Sequence, residues 1–173
     1  MQDEFKLKNY STSISGEKSI AEIEVLLAKF GASAIMKNYL QDGSVTDLAF
    51  KLDGKGYKLP ANVEGVKKIL TGGKRNYHAT DSMKKRDEQA YKTAWRIIKD
   101  WLYAQLSIIK SGQAQPDQIL LPFQFNGKQT FYEAYKNNQL SLKAADEVEI
   151  IGGEIIDEKD SRIPRQNSNS NTQ

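Results

Sequence analysis

The stretch that decides the fold runs from Met83 to Ser111, MKKRDEQAYKTAWRIIKDWLYAQLSIIKS. It contains neither Gly nor Pro and is rich in strong helix formers, which predicts one long helix over about 83–111. Tyr91, Trp95, Ile98, Leu102, Leu106 and Ile109 recur at helical spacing, and Ala94, Ile97, Trp101, Ala104 and Ile108 make a second stripe beside them. A surface that wide must be covered on two sides, by a sheet and by another helix or a partner chain. Gly112 and Pro116 stop the helix.

Upstream lies the material for that cover. Phe5 to Ile14 reads as a candidate strand with one break in its alternation. Ser19 and Glu22 have capping-box spacing, and Ile20, Ile23, Leu26, Leu27 and Phe30 follow as one apolar face of a helix that Gly31 ends. Ala32 to Leu40 and Ser44 to Leu52 read as strands joined by Gln41-Asp42-Gly43. Asp53 to Gly56 repeats the turn before a strand at Tyr57 to Leu59. A short helix is predicted from Val63 to Leu70, a loop from Lys74 to Ser82, an apolar run at Ile119 to Phe125, and a last helix from Gln129 to Asn137. The expected fold class is therefore α+β: a small antiparallel meander of three to four strands packed against helices, the long helix among them.

The chain has 173 residues, with 25 Lys and Arg against 22 Asp and Glu, one His and no Cys. That length fits one domain, expected over 1–143. Without cysteine there is no disulfide framework, thiolate zinc site or iron–sulfur cluster, and one His makes no His-rich metal constellation. No apolar run reaches about 18 residues, and the start MQDEFKLKNY lacks the apolar centre of a signal peptide, so a cytoplasmic, membrane-free protein is expected. Residues 1–143 carry a net charge of +7 and residues 144–173 a net charge of −4. A basic body thus precedes an acidic, then Asn- and Ser-rich tail, whose composition predicts disorder.

The densest positive cluster lies between Gly65 and Arg86. Lys67, Lys68, Lys74, Arg75, Lys84, Lys85 and Arg86 face one acid, Asp81. A phosphate backbone rewards such clustering through counterion release, and Tyr77 in the same loop supplies a ring on which a base can stack. A solvated loop has the same composition. On the long helix, Lys92, Arg96, Lys99 and Tyr103 continue the basic line, but Glu88 with Lys92 and Arg96 with Asp100 have the spacing of ordinary surface ion pairs. Trp95 and Trp101 fall in the apolar stripes and read as core.

Catalytic signatures are sparse. His78 sits among cations with no nucleophile elbow to serve, and Glu22 and Glu24 point to different sides of their helix. Asp42, Asp47 and Asp53 belong to turns, and neither Gly72-Gly73 nor Gly152-Gly153 has a phosphate-loop pattern. No cofactor or metal is expected. The order of helix, meander and helix matches double-stranded RNA-binding domains, but Asn62-Val63-Glu64-Gly65 stands where those carry lysines.

Four segments together, SIAEIEVLLAKFGASAI, LAFKLDGKGYKLPANVEGV, EQAYKTAWRIIKDWLYAQLSIIKSG and ILLPFQFNGKQTFYEAY, resemble a family of small uncharacterised phage, prophage and mobile-element proteins. The resemblance spans about Ser19 to Tyr135. It implies a setting near DNA replication and recombination functions, and brings no catalytic or binding residues with it. The expected function is non-enzymatic binding of DNA or RNA backbone with low sequence specificity. The alternative is a protein-binding adaptor or inhibitor, or a homodimer, that uses the apolar face of the long helix.

Overall fold

A computed structural model describes residues 6–72 and 80–137, together with 150–151 and 154–155. The chain forms two compact units, Met1–Gln139 and Leu140–Gln173. In the second, Ile150–Ile151 (β4) pairs antiparallel with Glu154–Ile155 (β5). The rest of the acidic tail lies outside the described residues.

The first unit is α+β, as its patterning predicts. α1 (Gly16–Phe30) leads into a meander of β1 (Ala34–Tyr39), β2 (Val45–Leu52) and β3 (Lys55–Pro60). After it come α2 (Val63–Leu70), the long α3 (Thr80–Lys110), α4 (Pro116–Leu120), a 3-10 turn at Leu121–Phe123, and α5 (Phe131–Lys136). Both strand pairs are antiparallel in the order β1-β2-β3. Alternation along the strands turns Leu48, Phe50, Leu52, Tyr57 and Leu59 into one core with Ile20, Ile23 and Leu27 of α1 and Trp95, Leu102 and Leu106 of α3. A smaller cluster seats α2 on α3 through Val66, Ala90 and Ala94.

Three expectations are corrected. The candidate strand at Phe5 to Ile14 is a turn and extended coil over its described residues, with Asn9 at φ 63°. Its polar groups bond to α3 side chains instead of a neighbouring strand. Gln89 Nε2 donates to the carbonyls of Tyr10 and Thr12, Thr93 Oγ1 donates to the carbonyl of Asn9, and Asn9 Nδ2 donates to Asp100. Secondly, α1 starts at Gly16, with Ser15 as the N-cap accepting from Lys18 N. Ser19 is buried inside the helix, and Glu22 reaches Arg96 of α3 instead of closing a capping box. Thirdly, the loop expected from Lys74 to Ser82 gives way to helix at Thr80, where α3 already begins, since Thr80-Asp81-Ser82 contains no Gly or Pro. Pro116, expected as a stop, also opens α4, and the apolar run at 119–125 is largely helical.

The sheet's edges are treated differently. β3 is bordered by residues 124–125: Tyr57 bridges Gln124, and Phe125 N donates to Gly56 O at 2.8 Å. Gly56 permits that approach, because a Cβ there would stand 3.0 Å from the Phe125 carbonyl oxygen. Among the described residues β1 has no strand beyond it, but it carries a register shift at Asn38/Tyr39 and directs Lys37 to the helix side, where it pairs with Glu24 at 2.7 Å. An irregularity and an inward charge are the usual means of discouraging a further strand.

Candidate nucleic-acid interface

α2 and the first turns of α3 are held together by apolar contacts and by one ion pair, Lys67 Nζ to Asp87 Oδ1 at 2.5 Å. This Asp87 oxygen is shielded from solvent, and the ammonium is its close charge partner. The carboxylate holds the Lys67 pKa above its ordinary 10.5.

Beside the pair is an open groove of about 840 Å³, between the β1–β2 turn and the starts of α1, α2 and α3. Its floor includes Tyr91, whose hydroxyl accepts from Val45 N at 3.1 Å and whose own ionisation is pushed up by burial. Lys67, Lys84 and Lys85 line the groove, but so do Glu17, Asp42, Glu64, Asp87 and Glu88. Several of these charges are already engaged. Glu88 pairs with Lys92 at 2.5 Å, which holds its pKa low, and Asp42 accepts from the Ser44 hydroxyl and backbone N–H, which depresses its own.

The predicted binding residues therefore divide. Lys67, Lys84 and Lys85 meet at the groove, with Lys67 neutralised by Asp87. Lys68 in the last turn of α2 and Arg86 in α3 do not line it. Among the described residues no carboxylate lies within ion-pair distance of Lys68, Lys84, Lys85 or Arg86. Lys74, Arg75 and Tyr77, like His78, lie outside the described residues. Sequence reasoning missed the carboxylates. Their signal was present, since Glu64 and Asp87-Glu88 immediately flank the positive window.

Further along α3, the basic line is an ion-pair network. Arg96 Nη1 is 2.7 Å from Glu22 and its Nε 3.8 Å from Asp100, while Lys99 reaches both acids and lies over the Tyr103 ring. Trp95 is fully buried, and Trp101 packs on Phe123 with ring centroids 5.1 Å apart. The first apolar stripe of α3, with Ala94 and Trp101 of the second, packs against α1, α2, the sheet and the 3-10 turn, whereas Ala104 is exposed and Ile97 and Ile108 are half-buried outside those clusters. Tyr103 is the large α3 side chain that stays exposed among the described residues.

Among the described residues no cluster of His, Cys, Asp or Glu is arranged to hold a metal ion, and no helix is long and apolar enough to cross a membrane. Comparison of the chain with family models, curated proteins and solved structures finds no match.

Proposed function

We propose that this protein is a non-enzymatic accessory factor that binds nucleic-acid backbone with low sequence specificity, in the phage or mobile-element setting that its sequence resembles. One observation supports this most directly. Lys68, Lys84, Lys85 and Arg86, which have no carboxylate within ion-pair distance among the described residues, belong to the end of α2 and the start of α3, and the segment joining those two helices contains Lys74 and Arg75. The Lys67–Asp87 pair ties the two helices side by side there. Cations so gathered release counterions from phosphates, whereas the carboxylates in the groove keep a polyanion on its rim.

The test is a gel shift against single- and double-stranded DNA and RNA, with Lys84→Glu/Lys85→Glu and Lys74→Glu/Arg75→Glu as charge reversals. Affinity is expected to fall by at least about tenfold between roughly 50 and 200 mM salt, and to weaken with each reversal. A flat salt response, or reversals without effect, refutes the reading.

A further inference from the structure

α5 is a six-residue helix, far too short to be stable through its own hydrogen bonds. It is nevertheless firmly anchored. Thr130 Oγ1 accepts from Glu133 N at 3.2 Å, the Glu133 carboxylate accepts from Thr130 N at 2.6 Å, and Phe131 N donates to Gln124 O at 2.8 Å. Thr130 bridges Phe125, and Asn126 Oδ1 accepts from the backbone N–H groups of Lys128 and Gln129.

What this anchoring presents to solvent is aromatic. Phe131, Tyr132 and Tyr135 are 38%, 57% and 46% exposed. At helical spacing they share an arc of about 100°, and Lys136 borders it. Lys128 precedes the helix, and neither lysine has a carboxylate within ion-pair distance among the described residues. The single acid of α5, Glu133, is committed to the cap, and those hydrogen bonds from Thr130 lower its pKa. The result is a set of outward rings with a lysine at each end that has no acidic partner among the described residues.

Building on the nucleic-acid reading above, we infer that α5 is a base-stacking platform and that the preferred ligand is single-stranded nucleic acid. A protein partner would also bury the rings, but the flanking charges select a polyanion. Among polyanions, only an unpaired strand offers base faces, because in a duplex they are stacked on one another. The cap fixes the backbone that carries the rings, so little backbone ordering is left to occur on binding.

The experiment measures anisotropy of a labelled oligothymidylate of about 20 nucleotides, and of a duplex of equal length, titrated with the full chain. Wild-type protein should bind the single strand about tenfold or more tightly than the duplex. Tyr132→Ala/Tyr135→Ala should weaken single-strand binding by about tenfold or more per ring, and Tyr132→Phe/Tyr135→Phe should restore it. The alanine variant should leave the salt slope and the far-ultraviolet circular dichroism unchanged, since the rings carry no charge and lie outside the core. Equal affinity for strand and duplex, or undiminished binding by the alanine variant, overturns the platform. If Lys84→Glu/Lys85→Glu still weakens binding in that case, the backbone reading survives alone. No binding to either nucleic acid overturns both.

Discussion

Lys67 Nζ and Asp87 Oδ1 stand 2.5 Å apart, joining the last turn of α2 to the early turns of α3. The contact is half-exposed on the acid side, and such a pair contributes less than about 1 kcal/mol to stability. Its larger effect is on charge. Asp87→Asn should free Lys67 for phosphate, tightening nucleic-acid binding and steepening the plot of log K against log salt by about 0.9. Because the Lys67 pKa is raised, the pair's contribution is complete below pH 10.5 and is lost as pH climbs through the folded value.

Gly16 opens α1 directly under the Tyr91 ring, and a Cβ added there would collide with Tyr91 Cε1 and Cδ1. Helix propensity alone makes Gly→Ala favourable by about 1 kcal/mol. Gly16→Ala is expected to destabilise the protein instead, by about 1–3 kcal/mol, as overpacking does. Urea denaturation checks the sign. Tyr91→Phe, which removes the acceptor for Val45 N, should cost about 1–2 kcal/mol in the same measurement.

Asp100 shares with Gln89 and Thr93 the docking of the N-terminal segment onto α3. Burial works to raise its pKa and is outweighed by the hydrogen bond from Asn9 and the charge of Lys8, at 3.0 and 3.2 Å, so the net shift is downward from 3.8. A depressed carboxylate stabilises the fold above its unfolded pKa, and that contribution disappears as pH falls through the lower folded value. Amide exchange in residues 8–12 should therefore accelerate below pH 3.8, and in Asp100→Asn it should already be fast at neutral pH.

The cap of α5 gives an independent acid-sensitive prediction. Glu133 is lowered from 4.5 by its hydrogen bonds from Thr130, so protonating it should loosen α5 as pH drops below that value. Thr130→Ala should cost about 1 kcal/mol and accelerate exchange in residues 131–136 at every pH, while leaving the protection of Trp95 and Leu102 in the core unchanged.

Much of the architecture was legible because periodicity reports burial. The stripe of Trp95, Leu102 and Leu106 led correctly to a core helix, and Asp42-Gly43 and Asp53-Gly54 marked the meander's turns. The pattern over Phe5 to Ile14 misled, because what holds that segment is a set of hydrogen bonds with the side chains of Gln89 and Thr93, which donate, and Asp100, which accepts, some 80 to 90 residues away. Local alternation contains no trace of such partners. Ser15 and Ser19 are equally good N-caps in isolation, and only the packing of Gly16 against Tyr91 and the burial of Ser19 separate them. For the interface, clustering of like charge was readable, but the pairing of Lys67 with Asp87 depends on how α2 lies along α3.

The strip of backbone at Gln124 and Phe125 that borders β3 is supplied from beyond the long helix, more than 60 residues after the strand it shields. A ribosome releasing this chain therefore produces the meander well before its cover, and a protease cutting in the Ser111–Gln115 connection severs the two. Either event leaves Lys55–Pro60 with open hydrogen-bonding groups, guarded by its own lysines and Pro60 but without the register shift and inward lysine of β1. Fragments ending near residue 115 are thus the ones to self-associate, and adding back a peptide that contains residues 116–137 is the natural antidote.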